Sequence, residues 1–326
     1  MRVPLEMPTV MECSHMNRRQ VLGSMAGTLL SAPWRGAHAA AAEGTKIVLL
    51  GTAGGPSPKV SRAAPASMIV AGGALYVVDC GNGVARQIVR SGYQLKALRS
   101  IFITHQHSDH NLDYGNLFYL AWSAALREPV NSFGPPPLVE MTKKYFELNS
   151  FDINLRIHDE GRPDPAPLLV PHEIVGPGEV FKDENVTVRA VLVDHPPIKV
   201  ALSYRFDTAD RSVVFSGDTR KTDSLIEIAR GADVLVCEAQ YLPGIRGLAK
   251  RLAADPSREQ AIYDSISGNA LSVEQAGEVA QASGVKTLVL NHFVPGDDSV
   301  PEDVWREQAS KAFSGEIIVG KDLLKV

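Results

Sequence analysis

Cysteine is scarce: Cys13, Cys80 and Cys237 are the only three in 326 residues. That is too few for a disulfide framework, and Cys13 precedes a segment read below as a removable leader. Cys80 and Cys237 each follow an apolar run and read as small buried side chains, with a bridge between them left open. A basic surplus is also missing. Lys and Arg number 33 against 37 Asp and Glu, a formal net charge of −4, which argues against a nucleic-acid or anionic-membrane partner. The apolar stretch Val21 to Pro33 is too short to span a bilayer, so no transmembrane segment is expected in the mature protein. Gly51-Thr52-Ala53-Gly54-Gly55-Pro56 lacks the Gly-Lys-Ser/Thr ending that cradles a nucleotide phosphate, and reads as a tight turn. No short-period repeat or low-complexity tract interrupts the chain.

Metal-binding side chains, by contrast, are concentrated. Thr104-His105-Gln106-His107-Ser108-Asp109-His110 follows the apolar Ser100-Ile101-Phe102-Ile103 and puts four potential ligands into six residues. Two imidazoles two residues apart at the end of a strand can grip one ion. Asp109 and His110 then point the other way, so one loop can feed two sites, and imidazole with carboxylate suits zinc and its neighbours. Such a pair of sites needs about three further groups. The chain offers His195 in Val193-Asp194-His195-Pro196-Pro197, Asp218 in Phe215-Ser216-Gly217-Asp218-Thr219 and His292 in Leu290-Asn291-His292-Phe293. Each follows a β-rich apolar run, and groups at strand ends can converge on one sheet edge.

Around these residues the pattern predicts a strand from Lys46 and a hairpin of Ala66 to Ala71 with Ala74 to Asp79 through Gly72-Gly73. Leu112 to Leu126 and Leu138 to about Leu148 read as helices. The second half repeats this outline, with strands at Val186 to Val193, Val200 to Phe206, Ser212 to Phe215 and Asp233 to Cys237. Helices are expected at Ser224 to Arg230, Arg258 to Ser265 and Ser272 to Ala282.

With H-x-H-x-D-H, a later His, G-D-T and a final His, the chain resembles the metallo-β-lactamase-fold hydrolases from about Thr45 onward. It looks closest to their tRNA 3′-processing and arylsulfatase-like branch. The resemblance implies an α/β fold, a four-layer αβ/βα sandwich formed by residues 43–326 as one domain, with a two-metal groove at its top. It implies two Zn2+ ions, Mn2+ or Fe2+ being substitutes that similar donors accept. Carried over by motif position, His105, His107 and His195 hold the first ion and Asp109, His110 and His292 the second. Asp218 bridges them, and Asp109 and Asp218 are the catalytic carboxylates around a metal-bridging hydroxide.

Behind the ligands, the resemblance implies that Asp79 in Val78-Asp79-Cys80-Gly81 holds a ligand imidazole, which would fix its tautomer. An N-cap for a helix over Asn82 to Arg90 is an equally good local reading. Cys237-Glu238 stands where that branch tends to have His-Glu, and Asn269-Ala270-Leu271-Ser272 lacks an expected His. A candidate proton donor for the leaving group is therefore missing. His158 reads as a surface residue and His172 as a spare imidazole.

The leading expectation is an exported binuclear zinc-dependent hydrolase acting on a small-molecule ester, either a phosphodiester or a sulfate ester. Only 22 residues separate His195 from Asp218, whereas enzymes with a tRNA-clamping arm carry a much longer insertion there, which argues against tRNA. A β-lactam or lactone hydrolase is the alternative, disfavoured for β-lactams by Asp218. A metal-binding protein of this fold without turnover is a third reading, motivated by Cys237 and Ala270.

Asn17-Arg18-Arg19-Gln20, the apolar Val21 to Pro33 and Ala37-His38-Ala39 resemble a twin-arginine export signal. Residues 1–42 are accordingly expected to be an N-terminal extension and leader, removed after passage through the twin-arginine machinery to the periplasm or beyond. Changing Arg18 and Arg19 together to Lys should leave the protein uncut in the cytoplasm. Fractionation showing unchanged periplasmic delivery would exclude this route.

Overall fold

The computed structural model describes residues 44–326. The leader reading for residues 1–42 lies outside the described residues. In chain order the elements are β1 (Lys46–Gly51), β2 (Ala66–Ala71), β3 (Ala74–Val78), α1 (Val84–Arg90), β4 (Leu98–Phe102), α2 (Ser108–Asn111), α3 (Tyr114–Ser123), β5 (Val130–Gly134), α4 (Leu138–Leu148), α5 (Ser150–Glu160) and β6 (Leu169–Glu173). There follow β7 (Gly178–Lys182), β8 (Val186–His195), β9 (Ile198–Thr208), β10 (Ser212–Phe215), α6 (Asp223–Ala229), β11 (Val234–Gln240), α7 (Leu242–Leu252), α8 (Glu259–Ser267), α9 (Val273–Ser283), β12 (Thr287–Val294), α10 (Glu302–Ser310) and β13 (Glu316–Val319).

Local chemistry explains the boundaries. Gly72 and Gly73, at φ 57° and 82°, supply the two positive-φ positions that the two-residue turn between β2 and β3 requires. Ser272 caps α9 through a reciprocal pair with Gln275, and Gly284 ends that helix in the left-handed region.

The strands form two sheets, one ordered β1-β2-β3-β4-β5-β6 and the other β13-β12-β11-β10-β9-β8-β7. Each begins as an antiparallel meander and continues as parallel strands, from β3 in the first and from β10 in the second. Period-two alternation then assigns every side chain to a layer. Ile47 and Leu49 of β1, Tyr76 and Val78 of β3, and Val234 and Val236 of β11 share one core made from strand residues of both sheets. Val48, Leu50, Leu75 and Val77 instead pack with α1, α3 and α4. Leu235, Cys237, Leu288 and Leu290 pack with α6, α9 and α10. Both faces of both sheets are thus buried, which makes the four-layer α/β sandwich expected from the sequence. Cys80 and Cys237 are free thiols in two different cores, so no bridge joins them. No helix among the described residues is long and apolar enough to cross a membrane.

Phe102 is the knot of the central core. Its ring stacks on Phe133 at 5.1 Å and meets Tyr204 and Phe206 edge-on at 5.5 and 5.0 Å. Because β4 continues directly into the His-rich loop, this packing also anchors the loop. Phe102→Ala should cost about 3–5 kcal/mol, read as a lowered urea midpoint with little change in slope; a loss below about 1 kcal/mol would place the anchor elsewhere.

Candidate metal centre

Five strands deliver the site from their C-terminal ends. His105 follows β4, Asp109 and His110 lie in the short α2 behind it, His195 ends β8, Asp218 follows β10, and His292 lies near the end of β12, while Asp79 follows β3. The β11–β12 register explains how His292 reaches in. Glu238 pairs with Asn291 and Ala239 with Phe293, so His292 is the extra residue of a bulge, at φ 45°. A bulge re-aims a side chain out of the normal alternation. Asp79 is likewise held at φ 62°, and such conformations cost about 1–3 kcal/mol each when a side chain is present. Both strained residues belong to this site.

The donor atoms converge in two groups. His107 Nδ1 lies 2.9 Å from His105 Nε2 and 3.1 Å from His195 Nε2. His110 Nε2 lies 3.1 Å from His292 Nε2. Asp218 connects to both of the latter, with Oδ1 3.4 Å from His110 Nε2 and Oδ2 3.3 Å from His292 Nε2. Asp109 Oδ2 is 3.6 Å from His110 Nε2 and 3.5 Å from His292 Nε2. The donor atoms of His105, His107 and His195 all lie within 4.8 Å of one another, as do those of Asp109, His110 and His292. All of these residues are buried except the half-buried His107. His158 pairs with Asp159 at the surface, and His172 stacks on Phe133 and bonds Asn131, so both lie away from this cluster.

The surroundings orient each ring. Asp79 accepts from His110 Nδ1 at 2.9 Å and from the Thr104 amide at 2.8 Å. His195 Nδ1 donates to the Asn269 carbonyl at 2.7 Å, which leaves its Nε2 as a lone pair facing His107. Glu238 accepts from the amides of Thr219 and Leu271. It thereby ties the turn carrying Asp218 to the loop carrying Asn269. Cys237 packs in the apolar core behind it and lines a chamber of about 40 Å3 on the inner side of Asp218 and His292. Gly54 passes so close to His292 that a Cβ would stand 2.8 Å from Nδ1 and Cε1.

This donor set fits divalent cations. One proton cannot satisfy three mutually facing nitrogens of His105, His107 and His195, whereas a cation between them can. Asp218 Oδ1 is buried with no hydrogen-bond partner among the described residues, an expensive state unless a positive charge faces it. The electrostatics agree. Burial pushes His110 down, but the carboxylates of Asp218 and Asp79 outweigh it and hold the imidazole well above its ordinary pKa. Burial likewise pushes Asp218 up, and the imidazoles of His292 and His110 hold it well below the carboxylate range. His105 and His107 lie below their ordinary value, through burial first and then through neighbouring imidazoles.

Beside the cluster opens a cleft of about 500 Å3. His107, Asp109, His195, Asp218 and His292 contribute to it, together with Lys59, Gln240 and residues of α7 and α8. Helix α7, Gln240 and the Asn269 carbonyl were not singled out from the sequence as parts of the site. Pro243, Gly244 and Gly247 disguise α7, although a proline in the first turn costs no hydrogen bond.

A family model described as "Beta-lactamase superfamily domain" matches residues 75–293. The chain belongs to this superfamily, in its metallo-β-lactamase-fold branch. It is 33% identical over 285 residues to ribonuclease Z of Mycobacterium bovis (strain BCG / Pasteur 1173P2), covering 86% of this chain and 97% of that one. It is 36% identical over 284 residues to ribonuclease Z of Mycobacterium sp. (strain KMS), covering 86% and 95%. The short form of human tRNase Z superposes with a TM-score of 0.63 at 21% identity, covering 86% of this chain and 98% of that one. The metallo-β-lactamase fold protein YhfI from Bacillus subtilis gives the same TM-score and coverage at 20% identity. The two superpositions speak to the fold.

These relatives correct one expectation. Proteins this similar over nearly their whole length are named ribonucleases, which overturns the argument against a nucleic-acid partner. That argument used a net charge of −4 and a short spacing between His195 and Asp218. A net charge sums over the whole surface and omits the divalent cations that this cluster fits, which would dominate the charge at the cleft.

Each imidazole must be unprotonated to hold a cation, so zinc binding at this cluster weakens as pH falls. On dialysis from about pH 8 to about pH 5, zinc-loaded protein should therefore lose metal, read by elemental analysis; full retention at about pH 5 would contradict the imidazole-rich site.

Proposed function

We propose that the domain is a binuclear zinc-dependent phosphodiesterase whose substrate is a phosphodiester of the nucleic-acid type. The observation that carries this reading is the convergence of five imidazoles and two carboxylates in one cluster, of which His107, His195, His292, Asp109 and Asp218 line the cleft. The ribonuclease Z relatives favour phosphodiesters over sulfate esters.

His105, His107 and His195 would hold one ion and Asp109, His110 and His292 the other, with Asp218 between them. Two divalent cations there supply Lewis acidity, lowering the pKa of a water towards neutrality and offsetting charge that develops on the phosphate. The chain's own residues do the rest. Asp79 and the Asn269 carbonyl hold His110 and His195 in the tautomers that present a lone pair. Glu238 keeps the Asp218 turn and the Asn269 loop in mutual register. Of the cationic side chains lining the cleft, Lys59 stands free of a carboxylate contact in its own loop while Arg251 is paired with Asp297, so attraction for an anionic ester would come chiefly from the bound cations.

The position where the related branch offers a proton-donating imidazole holds Ala270, and Cys237 is shut in the core. Turnover should therefore be fastest for esters whose leaving group departs without a proton. The leader-like segment adds the proposal that the enzyme works outside the cytoplasm.

Zinc-loaded wild type should bind two ions per chain and hydrolyse bis(p-nitrophenyl) phosphate and a short RNA. Asp218→Ala should lower turnover on the order of a hundredfold or more and weaken zinc binding. One ion per chain in wild type, full activity in the variant, or cleavage of an aryl sulfate without cleavage of either diester would sink the proposal.

A further inference from the structure

The loop of residues 54–64 borders two spaces. Towards the metal cluster, the Gly55 amide donates to Asp109 Oδ2 at 2.9 Å and Gly54 lies against the His292 ring. With helix α1 the same loop encloses a second cavity, of about 340 Å3, which none of the seven metal-binding residues lines. Pro56, Ser57 and Lys59 border both spaces.

Four cationic side chains line this second cavity, Lys59, Arg62, Arg86 and Arg90, against one carboxylate, Asp322. That carboxylate is already engaged in the wall. It accepts from the Thr52 hydroxyl at 2.7 Å, the Ala63 amide at 2.6 Å and Gln87 Nε2 at 3.2 Å. Arg62 is engaged as well, with Asp298 and the Gly320 carbonyl. The other three cations meet no carboxylate among the described residues. Lys59 Nζ reaches the Ser57 carbonyl, Arg90 Nη1 reaches Gln87 Oε1, and Arg86 has no hydrogen bond or ion pair.

Local physics argues against this arrangement unless something else uses it. Arg86 and Arg90 stand four residues apart on α1, so their like charges share one face and repel. The helix, Val84-Ala85-Arg86-Gln87-Ile88-Val89-Arg90, has no acidic residue to offset them. Arg90, in the last turn, suits the carbonyl end of the helix, but Arg86, in the first turn, faces its positive end. The direction of Arg90 is fixed from below by Gln87, only 3% exposed. Gln87 Nε2 donates to the Leu50 carbonyl and to Asp322, which leaves Oε1 for the guanidinium at 2.8 Å.

We propose that this cavity is a phosphate-binding site, separate from the metal centre. Arg86 and Arg90 grip the phosphate oxygens, to which the guanidinium fork is matched, and Lys59 approaches from the loop. Three unneutralised cations suit a dianion with three or four acceptor oxygens better than a carboxylate, which brings one charge and two oxygens. The cavity is within the size range of small-ligand sites, so it has room for a free phosphate ion or for a second phosphate of a longer substrate. An occupant ties the loop to α1, and with it the Gly55 amide that holds Asp109. The site goes beyond the phosphodiester reading, because it binds phosphate whether or not the cleft cleaves an ester.

The test is calorimetric titration of zinc-loaded protein with inorganic phosphate. Wild type should bind phosphate at this site in addition to any held by the metal centre. Arg86→Glu with Arg90→Glu should weaken that binding event about tenfold or more and leave zinc content unchanged. Both side chains are exposed, and an unchanged Tm checks the fold. Arg86→Gln, which removes no contact within the chain, decides if the double variant misfolds. A phosphate isotherm that neither variant changes overturns the site.

Turnover identifies the source of the phosphate. If it belongs to the substrate, the double variant should raise KM for a short RNA about tenfold and leave KM for bis(p-nitrophenyl) phosphate, which has a single phosphate, unchanged. If it is a free ion, both KM values stay and only the isotherm moves. If neither ester is cleaved, the phosphodiester reading fails and the isotherm judges this site alone.

Discussion

Seven side chains able to hold metal converge from strand ends of both sheets, six of them buried. Carboxylates and imidazole lone pairs facing one another away from water repel or stay unpaired unless cations or protons stand between them. The rest of the architecture around the site serves this crowding. Asp79 and His292 accept left-handed backbone, and a bulge turns His292 inward. Gly54 vacates the space beside its ring, and Gly217, at φ 60°, makes the turn that presents Asp218.

Glu238 links this strain to the fold. It sits on β11, an interior strand of the second sheet, and reaches both the Thr219 and Leu271 amides. Burial and the nearby Asp218 carboxylate push its pKa well above the usual range. The loop it holds carries the Asn269 carbonyl that orients His195, so a single side chain couples the positions of two of the seven. Further along the same strand Gln240 joins the metal floor to the α7–α8 wall through the Ile266 carbonyl. The strand that stabilises the sandwich core through Val234 and Val236 thus also joins the metal-ligand cluster to the α7–α8 wall.

Much of the plan was legible in the sequence, for identifiable reasons. The ligand residues either crowd into one loop or follow apolar β-runs, and a strand end is where a side chain can leave the core for an edge. The Gly72-Gly73 turn, the Ser272 cap and the Ala66 to Ala71 strand carry their signals within a few residues. Strands β6, β7 and β13 and helices α5, α7 and α10 carried no comparable signal. Their side chains are half-exposed or mixed in polarity, so periodicity alone does not separate them from loops. Net charge misled, because it counts side chains only and omits the cations that a cluster of imidazoles and carboxylates is built to hold.

From the sequence alone came the donor chemistry and the placing of each candidate ligand at a strand end, both properties of local pattern, and the class of fold, through the resemblance that the motifs carry. Only the tertiary structure decided that His292 enters through a bulge, that a backbone carbonyl at Asn269 orients His195 and that α7 and α8 wall the cleft. These are contacts between segments distant along the chain, made through backbone atoms and partly exposed apolar side chains. No residue type or spacing encodes such contacts until the layers have packed.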